Sequence, residues 1–129
     1  MPTSSPLGSQ TIMAFAATQD PAKAKIFYRD VLGLPLTAED GFALAFDANG
    51  IMLRVTTVEK VAVAPYTVLG WQVADIAAVV AALKKRGVKF ERYPGLEQDE
   101  LGIWTAPGGA QIAWFKDPDK NTLSVTELG

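Results

Sequence analysis

The stretch DPAKAKIFYRDVLGL, residues 20–34, decides the fold. Asp20 and Pro21 have the chemistry of a helix start: a carboxylate that accepts from the free N–H groups of the first turn, and a proline whose missing N–H is not needed there. Ala22, Ile26, Phe27, Val31 and Leu32 then recur near helical spacing, with Lys23, Lys25, Arg29 and Asp30 between them, which predicts an amphipathic helix. Gly33 stands where such a helix ends. Residues 11–17, just upstream, have the length and apolar content of a strand. Downstream, residues 42–46 read as a strand, Asp47 to Gly50 as a turn, and residues 51–56 as the strand that pairs back.

The same order then returns. Residues 67–73 read as a strand, and DIAAVVAALKKRG, residues 75–87, as a second capped helix with Ile76, Val79, Val80 and Leu83 on its buried side. Lys84, Lys85 and Arg86 suit the negative end of that helix, and Gly87 closes it. Residues 88–92 suit a strand, and a Gly-, Pro- and acid-rich loop follows to Gly102. Residues 103–105 and 110–116 suit a hairpin turning at Pro107 to Gly109, and residues 122–127 the last strand. Asp20 matches Asp75, Gly33 matches Gly87, and the turn at Asp47 matches the turn at Asp117. This internal repeat predicts an α+β fold of two βαβββ modules, about 11–58 and 66–128, in one domain over 11–129. A lone module leaves one sheet face bare. Two side by side make a curved mixed sheet, a cup, with helices on its outer face.

Composition narrows the function. Of 129 residues 49% are apolar and 20% charged, as in globular domains, and the net charge of −2 steers no particular partner. No basic face is visible, so no nucleic-acid partner is expected. The chain has no cysteine and no histidine, which removes thiolate chemistry, the commonest general base and the commonest metal ligand. Residues 1–10 read as a flexible lead-in without the pattern of a signal peptide, and no stretch is apolar and long enough to span a membrane. A cytoplasmic setting is the expectation.

FYRDVLGL (27–34), WQVADI (71–76) and FKDPDKN (115–121) carry a resemblance. In this order they resemble the vicinal oxygen chelate superfamily, which includes glyoxalase I, bleomycin-resistance proteins and extradiol dioxygenases. Lys120 stands where the family's turn usually has glycine. The resemblance covers nearly the whole chain after the lead-in, and it implies a fold more firmly than a reaction, because the superfamily runs many chemistries on one scaffold.

The family's metal ligands come from the first and last strands of each module. The resemblance places them at Met13, Arg54, Val68 and Ser124. Thioether, guanidinium, isopropyl and a lone hydroxyl do not make a divalent-metal site. A slip of one residue brings in Ile12, Ala14, Leu53, Leu69 or Val125, which are no better, and Glu127 and Gln72 are the only nearby donors. No metal and no other cofactor is expected.

Strand parity sends Met13, Phe15, Met52, Arg54, Thr56, Val68, Gly70, Gln72, Ile112, Trp114, Thr122, Ser124 and Thr126 into the cup. Leu53, Val55, Trp71, Val73, Phe115, Leu123 and Val125 go toward the helices. A mixed concave surface with aromatic walls suits a ligand pocket. The candidate ligand-binding residues are Arg54, Trp114, Ser124, Phe15, Met13, Val68 and Gln72. Arg54 would pair with an anionic group and Trp114 would stack on a planar one; the plain structural alternatives are a solvent-facing or Glu127-paired Arg54 and a packing Trp114. Trp104 belongs to the cup rim or an interface, Trp71 to the core, Tyr66 to a loop, and the acidic loop 97–100 to solvent. The residue set favours a metal-independent protein that binds a small organic ligand, planar or anionic. The alternatives are a glyoxalase- or dioxygenase-like lyase or isomerase with an unconventional site, and a non-catalytic structural module. The resemblance also implies a homodimer, and the apolar Ile103, Trp104, Ile112 and Trp114 suggest its face.

Overall fold

In the computed structural model, which describes residues 6–129, Asp20 and Asp75 begin the same motif twice. The Asp20 carboxylate accepts from the Lys23 N–H at 3.2 Å, and Asp75 from the Ala78 N–H at 3.1 Å. Helix α1 runs over Pro21–Lys25 and α2 over Ile76–Lys85. Gly33 and Gly87 close the two motifs at φ +79° and +94°, conformations that glycine adopts without a Cβ penalty.

Each helix belongs to a four-stranded sheet. The first contains β1 (Ala14–Thr18), β2 (Leu36–Glu39), β3 (Ala43–Ala48) and β4 (Ile51–Thr57) in the order β1-β4-β3-β2. The second contains β5 (Thr67–Gln72), β6 (Trp104–Thr105), β7 (Gln111–Lys116) and β8 (Thr122–Glu127) in the order β5-β8-β7-β6. In both, the first and last strands pair parallel and the remaining neighbours antiparallel. Identical order and sense make the two halves one repeated unit. They are two separate sheets that meet where β1 passes β5, without a shared ladder.

Four local expectations are corrected. Helix α1 does not continue as an α-helix to Val31. Residues 26–31 form a widened turn, in which the Leu32 N–H donates to the Phe27 carbonyl at 2.9 Å, five residues back. The core-facing stripe is Ala24, Phe27, Tyr28, Val31 and Leu32, at ordinary helical spacing, so Ala22 is exposed and Ile26 is 54% exposed. Second, residues 36–39, where no element is expected, form β2, an edge strand with three of its four residues exposed and so without apolar alternation. Third, the strand expected over 88–92 reduces to one bridge, Phe90 against Phe115. Its further pairing is taken by a side chain: Gln98 Nε2 donates to the Glu91 carbonyl and Gln98 Oε1 accepts from the Tyr93 N–H. Fourth, Ile103 is in the core, and Trp104, Ile112 and Trp114 are half-buried, so the apolar surplus lies elsewhere, at Phe15, Phe42 and Met52 of the first module. Of the expected lead-in, residues 6–10 form a turn and residues 1–5 lie outside the described residues.

The helix-facing side of the expected division holds, while Gln72, expected in the cup, borders a cleft on the helix side. Leu53, Val55, Phe115, Leu123 and Val125 are buried under the helices with Tyr28, Phe46 and Val80, and Trp71 and Val73 pack against them half-buried. Each large side chain so buried contributes about 1.5–3 kcal/mol. Phe27 of the first module reaches Phe115 of the second, with ring centroids 6.4 Å apart, so one core runs through both modules. Among the described residues no helix is long and apolar enough to cross a membrane.

Candidate functional site

The concave face is built by alternation along the strands. On the first sheet Phe15 sits opposite Arg54, and Arg54 opposite Ala45. On the second, Gly70, Ser124 and Trp114 form a row across β5, β8 and β7. Gly70 is there for space: a Cβ on it would lie 3.0 Å from Ser124 Oγ. Ser124 is accordingly 6% exposed, tucked between the strands. Phe15 is 57% exposed, and Met13, just ahead of β1, is also exposed.

Two cavities open on this face. One, about 340 Å3, lies at the junction of the sheets and includes Phe15, Thr56, Val61, Val68 and Asn121 in its wall. The other, about 400 Å3, belongs to the second module and is walled by Tyr66, Tyr93, Trp114, Lys116 and Thr122, among others. The structure therefore brings Phe15 and Val68 together in one place and Trp114 into another. Arg54 and Ser124 line neither, and Gln72 borders an apolar cleft of about 200 Å3 on the helix side with Trp71 and Val73. A further depression, about 520 Å3, lies between the end of α2 and the loop after it. Two of the cations lining it are engaged there, Arg92 with the Gln98, Asp99 and Glu100 carbonyls and Lys84 with that of Glu100.

Sequence reasoning passed over Tyr93 and Lys116 and left Tyr66 as a loop residue. Lys116 was legible, since it follows Ile112 and Trp114 at the same strand parity. Tyr66 and Tyr93 were not, because each lies outside regular structure and is placed by tertiary contacts. Trp104 packs beside Trp114, with centroids 6.0 Å apart. Trp71 stacks on Phe115 with an 18° interplanar angle, as a core residue does.

Electrostatics separate the two cationic residues of the face. Arg54 is half-buried and makes neither an ion pair nor a hydrogen bond within the described residues. Nearby Asp40 has its carboxyl held below the usual range chiefly by the Phe42 and Ala43 backbone N–H groups, with a smaller contribution from Arg54. Glu127 is no partner for Arg54; its Oε1 accepts from the Ile76 N–H at 2.9 Å, capping α2. Lys116 Nζ donates to Thr122 Oγ1 at 2.7 Å.

A divalent metal does not fit the positions that hold it in the resembled superfamily. Met13, Arg54, Val68 and Ser124 offer no carboxylate or imidazole, and Glu127 is engaged at the end of α2. Leu53 and Val125, the one-residue neighbours, are buried on the helix side. Among the described residues no group of three or more acids converges elsewhere.

With two βαβββ modules and a concave face between them established, the comparisons give the class. The chain belongs to the Glyoxalase/Bleomycin resistance protein/Dioxygenase superfamily, whose sequence profile matches residues 11–125. Among solved structures, it is similar to a glyoxalase/bleomycin resistance protein from Catenulispora acidiphila. That match has a TM-score of 0.70 at 22% identity, covering 94% of this chain and 100% of that one. A lactoylglutathione lyase from Agrobacterium tumefaciens matches with a TM-score of 0.67 at 22% identity over 94% and 95% of the two chains. A glyoxalase/bleomycin resistance protein/dioxygenase from Alicyclobacillus acidocaldarius matches with a TM-score of 0.69 at 18% identity over 93% and 92%. At these identities the likeness establishes the fold. No curated protein sequence matches the chain.

Proposed function

We propose that this protein is a metal-independent small-molecule binder that takes a planar or anionic organic ligand on its concave face. The observation that carries the reading is the aromatic-walled cavity of about 400 Å3 on that face. Its size falls in the range of about 300–1,000 Å3 that small-molecule sites occupy. The residues at the four family metal positions support a metal-independent mode, since none is a good divalent-metal donor. The alternative is a lyase or isomerase, suggested loosely by the likeness to a lactoylglutathione lyase. It would have to work without histidine or cysteine and without a convergent acid pair on the face. The reading includes a cytoplasmic setting and a homodimer, for which the exposed Phe15, Phe42 and Met52 offer a face.

The test has two parts. The purified protein is incubated with Zn2+, Ni2+ and Mn2+, desalted, and its metal content measured; it is then screened by thermal shift against planar organic acids and their neutral analogues. We expect far less than one metal per chain and a raised melting temperature with a subset of the compounds. Stoichiometric metal, or no shift with any compound, overturns the reading.

A further inference from the structure

Tyr93 and Trp114 meet edge to face, with ring centroids 5.5 Å apart and planes at 84°. Two rings at a right angle form a corner, in which a flat molecule lying against one ring meets the other at its edge. Trp104 packs beside Trp114, and Tyr93 is held by its backbone bond to Gln98, so both rings of the corner are fixed by neighbours. Tyr66, 66% exposed, stands at the rim. Burial, with a smaller effect of Glu91, raises the pKa of the Tyr93 phenol.

An aromatic corner by itself suits a cation as well as a neutral ring system. Lys116 decides between them. Lys116 lines the cavity with its Nζ hydrogen-bonded to Thr122, another lining residue; no acidic residue lines the cavity, and Lys116 makes no ion pair within the described residues. One of its three N–H groups is directed to Thr122 Oγ1, leaving donors for an acceptor in the cavity. A second cation entering here would meet that charge at close range. An anion gains charge-assisted hydrogen bonds in partly desolvated surroundings. Arg54, the other unpaired cation of the concave face, stands on the other sheet and lines no part of this cavity.

We infer that the Tyr93–Trp114 corner is the ligand subsite, that its ligand is a planar aromatic anion such as an aromatic carboxylate, and that Lys116, not Arg54, meets the charge. The inference rests on the ligand-binding reading above and assigns it a place and a chemical class.

The test is isothermal titration of the full chain with 2-naphthoate and with its neutral isostere 2-naphthamide. The expected result is at least ten-fold tighter binding of naphthoate. Lys116→Met should bring naphthoate down to the level of the amide and leave the amide unchanged, while Arg54→Met should leave both unchanged. Trp114→Ala should weaken both probes at least five-fold. Because Trp114 also packs against Trp104, Tyr66→Ala at the exposed rim serves as a second aromatic variant, expected to weaken both probes with the melting temperature unchanged. Naphthoate binding that depends on Arg54 and ignores Lys116 overturns this subsite while leaving a concave-face ligand intact. Equal affinity for acid and amide, or no binding of either, overturns the assigned ligand class; the broader reading then stands or falls on the metal analysis and the compound screen.

Discussion

Tyr28 Oη donates to Asp117 Oδ2 at 2.6 Å, joining the helix motif of the first module to the last turn of the second. Tyr28 is fully buried and Asp117 nearly so. Asp117 also accepts from the Asp119 and Asn121 N–H groups and from Asn121 Nδ2. Asn121 Nδ2 in turn reaches the Ala17 carbonyl at 2.8 Å, and the Gln19 N–H donates to Asp119 Oδ1. One turn thus carries the polar seam between the modules while Phe27 and Phe115 carry the apolar one.

Breaking this bond has a cost with a definite sign. Tyr28→Phe leaves a buried carboxylate short of one donor, and we expect a loss of about 1–3 kcal/mol in urea denaturation. Asp117→Ala removes the acceptor of several bonds and should cost more than Tyr28→Phe.

The same bond predicts alkaline sensitivity. Burial first, and then the Asp117 charge, raise the Tyr28 phenol far above its ordinary value of 10.0. The unfolded chain therefore releases this proton above pH 10 while the folded chain keeps it. Stability from this group is complete below pH 10 and declines above it, by about 1.4 kcal/mol per pH unit for one proton. Unfolding measured between pH 9 and 11.5 should show this slope, and Tyr28→Phe should reduce it by one proton's worth. An unchanged slope in the variant would exclude Tyr28 as its source.

Lys120 holds φ +72°, a left-handed conformation, at the position where the resembled family turn has glycine. An L side chain there costs about 1–2 kcal/mol, partly offset by the greater freedom glycine gives the unfolded chain. Lys120→Gly should stabilise the protein by about 0.5–1 kcal/mol. Gly87→Ala, with open space around the added methyl but φ +94°, should destabilise by a similar amount. Chemical denaturation of the two variants checks both signs.

Gly70 and Ser124 should be energetically coupled. A methyl at position 70 lies 3.0 Å from Ser124 Oγ and 3.4 Å from the Ser124 carbonyl oxygen. Gly70→Ala alone should cost about 1–3 kcal/mol by overpacking. In the double variant with Ser124→Ala the cost should fall by at least 0.5 kcal/mol, measured as a double-mutant cycle. Additive effects would mean that the contact with the backbone oxygen dominates.

Glu127 and Asp75 cap the same helix from two directions, at the N–H groups of Ile76 and Ala78. Replacing either with alanine should cost about 0.5–2 kcal/mol. Glu127→Gln, which keeps a carbonyl acceptor, should cost less than Glu127→Ala in the same thermal-unfolding assay.

Local chemistry determined the repeat from the sequence alone. Asp20 and Asp75 as caps, Gly33 and Gly87 as stops, and the alternation of Leu53, Val55, Leu123 and Val125 with Arg54 and Ser124 all act over a few residues. Their effects therefore hold whatever lies elsewhere in the chain. The absence of metal donors at Met13, Arg54, Val68 and Ser124 is likewise a matter of residue type once the strands are placed. Tertiary structure alone decided the rest. Tyr28, inward on the same face as Ala24, finds its partner in Asp117, 89 positions away. The Gln98 side chain replaced a strand that local propensity favoured over 88–92. Tyr66 and Tyr93 lie outside any periodic element, and only the packing of the second module brings them beside Trp114 and Lys116. Contacts between residues far apart in sequence leave no trace in local patterns, so strand parity reaches Trp114 and Lys116 but not the two tyrosines that complete the candidate ligand site.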